Sequence, residues 1–254
     1  MMIEKALNKL ISDGPVELLI SSYKYLKQRI SRSPQYIYLR VVTTHRATDH
    51  TYMHDPFKII HVDPQDIERH CTKFDKWSSV GRIEGGAWDN DLCQISQKIK
   101  YKAVKNHFCN EVPWEETGII GHLHSQLREE KRSSVDGCSN RPQLNSRYRQ
   151  IDNIYEDMKE SGYEREKHEK SDCITVHIGR DGELIFAGNG WHRLTMAKIL
   201  GLDEIPVWVL VRHKEWQKLC DEIYESSSLE SLDEDIKPYV HHPDMKEVLR
   251  EKHC

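Results

Sequence analysis

The segment from Phe186 to Leu202, FAGNGWHRLTMAKILGL, restricts the fold most strongly, because a glycine-rich turn leads from a strand-like run directly into a helix. Gly188 and Gly190 can adopt positive φ angles, and they place no side chain between the backbone and a ligand. Gly201 stands where a helix commonly ends. A helix that begins after Gly190 is predicted from a near-continuous apolar side, formed by Leu194, Ala197, Ile199, Leu200 and Leu202.

The residues on either side of this segment predict strands. Apolar runs at 174–178 and 184–187 surround the sequence Gly-Arg-Asp-Gly at 179–182, and Asp-Gly is a strong hairpin signal. The run at 205–211, IPVWVLV, is rich in β-formers, and its proline is acceptable because it lies near the start of the strand. The predicted unit is therefore a hairpin, a glycine turn, a helix and a strand.

A glycine turn at the start of a helix is suited to binding an anion. The first N–H groups of the helix and the helix dipole both favour negative charge there. Arg193 can direct two hydrogen bonds at phosphate oxygens, His192 can donate one more or relay a proton, and Thr195 can add a hydroxyl. The alternative is a strand-to-helix corner whose glycines only solve a steric problem. We favour anion binding because His-Arg, a helix and a strand follow the turn at once.

At these residues the chain resembles the nucleotide-binding core of the ParB/sulfiredoxin superfamily. Gly190-Trp191-His192-Arg193-Leu194 is similar to the Gly-Glu-Arg-Arg or Gly-x-His-Arg turn of that family, and Ala197-Lys198 and Ile205-Pro206-Val207 are similar to the helix and strand that follow. Arg147 and the segment 151–162 resemble the Arg, helix and Gly that precede the hairpin, and residues 57–62 resemble the first strand. The resemblance is specific over 145–213 and weaker over 56–70.

The resemblance implies an α+β fold with a ParB/sulfiredoxin-like core, an N-terminal helical extension and a large insertion. The core would span residues 56–213, with the insertion at about 71–140. The extension would occupy residues 1–50, and residues 214–254 would form an acidic C-terminal helix and tail. Because the insertion does not match the superfamily, we expect it to determine the particular substrate.

The resemblance also implies that the chain binds a nucleoside triphosphate, ATP or CTP, together with Mg²⁺. The function would be that of an NTP hydrolase or phosphotransferase, with a non-catalytic DNA-associated module or a ParB-like nuclease as alternatives. The catalytic base is unassigned, and the resemblance makes Glu164, Glu166 and Glu169 its nearest candidates. The implied binding residues are Arg147, Gly188, Asn189, Gly190, His192, Arg193 and Thr195.

Two departures from the family narrow the expected chemistry. Trp191 stands where sulfiredoxins hold their catalytic cysteine, which argues against sulfinic acid reduction by that mechanism. Asn189 stands where the free-serine kinases have an acidic residue, and an amide cannot act as a base.

Composition predicts a very polar protein in the cytoplasm without a membrane partner. The mean hydropathy is −0.72, and no apolar run approaches the 18 or so residues of a membrane span. The first 14 residues read as an amphipathic helix rather than as a signal peptide. Seven cysteines form no Cys-x-x-Cys pair and leave an odd count, which favours reduced thiols over disulfides. Histidine pairs such as 122 with 124 are more typical of a surface than of a metal site.

The N-terminal part is predicted to hold helices at 3–11 and 19–30 and a strand at 36–42. Between Leu18 and Thr48 there are six Lys or Arg residues and no acidic residue, interleaved with tyrosines. Such a segment can contact DNA, with bases stacked on the tyrosine rings, or can be a solvated helix face. The net charge of −4 favours the solvated face, and both interpretations stay open.

Three further segments carry expectations. Gly85-Gly86 with Trp88-Asp89 can form a turn that closes over a ligand or a structural corner with Trp88 packed in the core, and we favour the corner. Residues 133–141, SSVDGCSNR, are predicted to form a mobile loop. Residues 221–235 contain seven acidic residues and no basic one, so this segment should repel nucleic acid. The sequence does not predict an oligomeric state.

Overall fold

The computed structural model of the chain describes residue 16 and residues 19–129, 133–163 and 173–252. The strands are β1 (Ile59–Val62), β2 (Arg69–His70), β3 (Arg82–Glu84), β4 (Cys93–Gln94), β5 (Ile174–Ile178), β6 (Leu184–Phe186) and β7 (Ile205–His213). The α-helices are α1 (19–31), α2 (Pro34–Arg46), α3 (Lys76–Ser79), α4 (Ile99–Asn110), α5 (Ile119–Glu129), α6 (Arg141–Ser161), α7 (Trp191–Leu200), α8 (Lys214–Glu225) and α9 (Met245–Lys252).

The strands form one mixed, open sheet in the order β1-β7-β5-β6-β2-β4, and β3 also pairs with β7. β5 and β6 are antiparallel, as the hairpin prediction requires, while β5 and β7 are parallel. β1 runs antiparallel to the first half of β7, and β3 runs parallel to its last residues. All nine residues of β7 are buried, which explains its continuous apolar sequence. The chain is thus a mixed α and β protein, consistent with the predicted α+β class.

The predicted order of hairpin, glycine turn, helix and strand is confirmed by β5, β6, α7 and β7. Gly188 and Gly190 have φ angles of 97° and 92°, and Gly201 ends α7 in the left-handed region. A Cβ atom on Gly190 would lie 2.7 Å from Cγ1 of Ile174. Gly190 is therefore required by its backbone conformation and also by its close approach to β5.

The prediction of a strand at 36–42 is wrong, because these residues lie within α2. The side chain of Ser33 accepts a hydrogen bond from the N–H of Tyr36 and caps the helix, and Pro34 occupies its first turn. Ile37 and Val41 are buried on one face with helical spacing. Local capping thus overrides the β preference of the Tyr, Ile and Val residues.

The predicted helix at 19–30 is confirmed by α1, whereas the predicted helix at 3–11 and Glu164, Glu166 and Glu169 lie outside the described residues. Residues 133–141 were predicted to be a mobile loop, and the structure shows a non-helical segment with a turn, followed by the first residue of α6. Val135 and Cys138 are buried and exchange two backbone hydrogen bonds of 2.9 and 2.8 Å across Asp136-Gly137. An Asp-Gly pair suits such a turn because both residues adopt positive φ here.

The segment after β7 contributes to the core. α8 and α9 bury Trp216, Ile223, Met245 and Val248 against the main hydrophobic cluster. Trp88 is buried, as predicted. Among the helices of the described residues, none has both the length and the apolar character that crossing a membrane requires.

Candidate anion site at the start of helix α7

Helix α7 begins directly after the glycine turn and presents polar backbone groups there. Gly190 is its N-cap residue, and no described side chain caps the helix. The first helical hydrogen bond runs from the N–H of Leu194 to the carbonyl of Gly190, at 2.9 Å. The N–H groups of Trp191 and His192 precede that bond and point out of the helix start. Together with the helix dipole, they favour an anion at this position.

The side chains of two predicted binding residues are engaged within the protein. The side-chain amide of Asn189 donates to the carbonyl of Cys173 at 2.5 Å, and its backbone carbonyl accepts from the N–H of Thr175 at 3.2 Å. The hydroxyl of Thr195 donates to the carbonyl of Trp191 at 2.9 Å, and the residue is only 1% exposed. Asn189 therefore fastens the turn to β5, and Thr195 lies on the buried side of α7.

His192 lies in a polar cluster built from separate helices and a turn. Its Nε2 atom lies 3.4 Å from the hydroxyl oxygen of Tyr148 on α6. The Tyr148 hydroxyl donates to Oδ2 of Asp136 at 3.3 Å, and Lys100 on α4 forms an ion pair with Oδ1 of the same carboxylate. The side chains of Lys100 and Asp136 are mostly buried, at 23% and 15% exposure. We call Lys100, Asp136, Tyr148 and His192 the relay cluster.

The hydrogen bonds of the relay cluster fix its protonation at neutral pH. Burial lowers the pKa of His192 to about 4, with the Asp136 carboxylate opposing this shift and Lys100 and Arg147 adding to it. Burial raises the pKa of Asp136, but the charge and hydrogen bond of Lys100 outweigh it, so the net shift is downward. The Tyr148 hydroxyl donates to Asp136, so its oxygen accepts from His192 Nε2–H. Because the lowered pKa keeps His192 neutral near pH 7 and its proton is on Nε2, the Nδ1 atom is a hydrogen-bond acceptor.

Positive charge converges on the same place from three helices. Arg147 is half-buried on α6, next to Tyr148, and its charge acts on both His192 and Tyr148. Nη1 of Arg193 donates to the Tyr163 hydroxyl at 3.2 Å. Helices α4 and α6 both pack against α7, and the charges of Lys100, Arg147 and Arg193 all act on His192 in its first turn. The arrangement can neutralise several negative charges of one ligand.

Sequence reasoning identified Arg147, His192 and Arg193, but it did not identify Lys100, Asp136 and Tyr148. Lys100 and Asp136 belong to the segment that was interpreted as an insertion, and their spacing predicts no shared site. Two signals were available. Tyr148 directly follows Arg147, and Asp136-Gly137 is a turn dipeptide that fixes the direction of a carboxylate.

A second group of potential ligand atoms lies beside Arg212, near the end of β7. His54, Cys220 and Asp244 are buried, and one ligand atom of each lies within 4.8 Å of the others. The Asp244 carboxylate accepts two hydrogen bonds from Arg212, at 2.8 and 2.6 Å, and one from Trp216 at 3.0 Å. A metal ion would have to displace these donors beside a guanidinium charge. The group is better described as a buried ion-pair network.

The comparisons with protein-family models, curated proteins and solved structures found no match for this chain. The functional conclusion therefore depends on the start of α7, on the relay cluster and on the positive charges of Lys100, Arg147 and Arg193.

Proposed function

We propose that the protein binds a nucleoside triphosphate at the start of α7 and hydrolyses it or transfers its terminal phosphoryl group. The observation that carries this proposal is the convergence of Lys100, Arg147 and Arg193 on a helix start that no described side chain caps. Phosphoryl transfer requires mainly positioning and neutralisation of charge, and this arrangement supplies both.

The resemblance to the ParB/sulfiredoxin superfamily supports the same proposal. The residues that resemble the family's turn, 190–194, begin α7. The segments that resemble the family's preceding helix, hairpin and final strand are α6, the β5–β6 pair and β7. β1 lies beside β7, where the proposed first strand of the core would pair. We propose a ParB/sulfiredoxin-like core over residues 56–213, with α4 and α5 in the insertion. Lys100 and Asp136 would then be additions of this chain to the shared turn.

In this proposal the residues have separate roles. The N–H groups at the start of α7 hold phosphate oxygens, while Lys100, Arg147 and Arg193 neutralise their charge. The Asp136 carboxylate has the oxygen chemistry that Mg²⁺ prefers, although Lys100 competes for it. Because Asp136 is the one described carboxylate in the relay cluster, the ion would be held mainly by phosphates and water.

Proton transfer in this proposal uses His192. Nδ1 of the neutral imidazole accepts the proton of an attacking water or substrate hydroxyl as the new O–P bond forms. The bond from phosphorus to the leaving diphosphate oxygen breaks at the same time. Tyr148 holds Nε2–H on the opposite side of the ring, and the Asp136 charge stabilises the imidazolium that results.

The first experiment is calorimetry with ATP, CTP and GTP, each with and without Mg²⁺, followed by measurement of phosphate release. We expect one nucleotide to bind and the Arg147→Ala variant to bind at least about tenfold more weakly, the usual loss for a charged hydrogen-bond partner. Arg149→Ala is the matched control, because Arg149 is exposed on the same helix. Absence of binding by all three nucleotides, or an equal loss in both variants, would contradict the proposal.

A DNA-associated function is the second candidate, and one observation favours it. The tyrosines of the basic segment 18–48 are exposed, with Tyr23 at 65%, Tyr25 at 57% and Tyr38 at 50%. Rings of this kind can stack on bases, and the lysines and arginines around them can contact phosphates. Anisotropy with a labelled single-stranded oligonucleotide tests it. DNA binding predicts an affinity that falls steeply with salt and that is lost in Tyr23→Ala/Tyr25→Ala, whereas unchanged anisotropy excludes it. A nuclease would need more carboxylates than the described relay cluster contains.

A further inference from the structure

Helix α1, at residues 19–31, lies almost entirely on the surface of the protein. Each of its residues is exposed except Ser21 and Ser31, which are half-buried. A helix in a protein gains most of its stability by burying an apolar face, and an isolated helix of about 12 to 15 residues is only marginally stable in water. Because α1 buries no such face among the described residues, its apolar side is open to a partner.

The large apolar side chains of α1 form one stripe. Four of them, each at least half exposed, recur at intervals of four, three and four residues: Leu19, Tyr23, Leu26 and Ile30. Val16, which precedes α1, is also exposed and continues the spacing. Alternation of three and four residues is the a/d spacing of a two-stranded coiled coil, in which such a stripe packs against a second helix. We call the four residues of α1 the α1 seam.

The C-terminal end of α1 is held against the body of the protein. The hydroxyl of Ser33 donates to the carbonyl of Ile30 at 2.8 Å and also caps α2. The guanidinium of Arg32 lies 5.8 Å from the centroid of the Trp77 ring on α3, within the range of a cation–π contact. The α1 seam therefore projects from a fixed point on the surface.

Positive charge borders the α1 seam. Lys27 follows Leu26 and Arg29 precedes Ile30, so in the register of the seam they occupy positions e and g. Both are exposed, and the absence of acidic residues from 18 to 48 leaves them no acidic neighbour within the helix. Charges at e and g select the partner of a coiled coil. A second copy of α1 would bring only basic residues and be repelled, whereas an acidic helix would be attracted.

The aliphatic members of the seam distinguish this surface from a nucleic-acid platform. Bases stack on aromatic rings, and Leu19, Leu26 and Ile30 offer none. Tyr25 provides an internal comparison, because it is 57% exposed, against 56% for Leu26, but lies outside the α1 seam. A partner helix needs Leu26 and not Tyr25.

We propose that α1 docks an acidic amphipathic helix of a partner protein, with Leu or Ile along the partner's own seam and Glu or Asp on both sides of it. The apolar residues of the two helices would interdigitate, and Lys27 and Arg29 would face the partner's carboxylates. This function is independent of the proposed nucleotide site, because the α1 seam shares no residue with α7 or with the relay cluster.

The test is fluorescence anisotropy of the full-length protein with a labelled synthetic peptide of about three heptads, carrying Leu at a and d and Glu at e and g. One comparison peptide has the same composition in scrambled order, and another has Lys in place of Glu. We expect the first peptide to bind at least about tenfold more tightly than either comparison peptide. Amide hydrogen exchange of residues 19–31 should slow when it binds, which places the contact at α1 rather than at the anion site.

Variants of α1 should keep the fold, because none of its residues is buried. Leu26→Gln should weaken binding of the acidic peptide at least about tenfold, while the matched control Tyr25→Gln should leave it unchanged. Lys27→Glu/Arg29→Glu should reverse the preference toward the Lys peptide.

Four outcomes would overturn the proposal. The first is that the acidic peptide binds no better than its scrambled form, and the second is an equal effect of Leu26→Gln and Tyr25→Gln. The third is a dimer of the protein alone in sedimentation that Leu26→Gln abolishes, which would make a second copy the partner. The fourth is protection of residues 19–31 by phosphatidylserine vesicles but not by the acidic peptide, which would make the surface a membrane contact.

Discussion

Nε2 of His192 lies 3.4 Å from the hydroxyl oxygen of Tyr148, although the two residues are 44 positions apart in the sequence. Because this hydroxyl donates onward to Asp136, the contact selects the tautomer of His192 with a proton on Nε2. Nδ1 is left as an acceptor at the start of α7. The contact therefore determines both the orientation of the imidazole and the direction in which it can take a proton.

The Tyr148→Phe variant tests that contact. The ring stays in its buried position, but the link between His192 and Asp136 is lost. We expect kcat for nucleotide turnover to fall about 10- to 100-fold, as is usual when the partner that orients a functional histidine is removed. The nucleotide Kd should stay within about threefold, because phosphate contacts are unchanged. Tyr155→Phe, on the same helix, is the control, and an unchanged kcat in Tyr148→Phe would refute the role of the relay cluster.

The Lys100→Met variant separates charge from packing in the relay cluster. Methionine retains most of the apolar stem of lysine and leaves Asp136 without its cation. We expect nucleotide binding to weaken about tenfold and the protein to lose roughly 1–3 kcal/mol of stability, the cost of an unpaired, mostly buried carboxylate. Calorimetry and urea unfolding measure the two effects. Lys102→Met, at an exposed position of α4, should change neither; equal effects at both positions would show that general surface charge is responsible.

The pH dependence of stability tests the neutral state of His192. Its pKa is about 4 in the folded protein, against 6.5 for an ordinary histidine. Between these values the unfolded chain binds more protons, so the contribution of His192 to the free energy of unfolding should rise as pH increases from about 4 to 6.5 and should then level off. Burial lowers the pKa of His177 to about 3 and adds to the same trend. Urea unfolding at several pH values should show a shallower rise in His192→Gln, and an equal rise would contradict the assignment.

The Gly190→Ala variant tests the turn itself. Residue 190 has a positive φ, which residues with a side chain rarely adopt. An added Cβ would also lie 2.7 Å from the Ile174 side chain and 3.0 Å from the Ile174 Cα atom. We expect a loss of more than about 2 kcal/mol, because backbone strain and overpacking act together. Gly118→Ala is the matched control, since Gly118 has a φ of 80° with nothing within 4 Å of the added atom. It should lose only about 1 kcal/mol in thermal or urea unfolding. Similar losses in the two variants would show that the contact with β5 is not important.

Parts of the fold were predictable from the sequence because their signals are local. The Asp-Gly dipeptide at 181–182 predicts the β5–β6 hairpin, the positions of Gly188, Gly190 and Gly201 predict both ends of α7, and the apolar run after Ile205 predicts β7. Each feature depends on residues only a few positions apart, so conformational preference and burial pattern agree there. The strand predicted at 36–42 was wrong because Ser33 and Pro34 begin a helix before the β-favouring residues are reached.

The sequence by itself determined the glycine turn, its His-Arg pair and the helix that follows. Only the tertiary structure decided which side chains meet there, because Lys100, Asp136 and Tyr148 reach His192 through the packing of α4, the turn at 136–137 and α6 against α7. His54, Cys220 and Asp244 likewise meet only in the folded chain, because they are far apart in the sequence. Local spacing specifies backbone conformation, whereas hydrogen bonds and pKa shifts depend on burial and on neighbours that are distant in sequence.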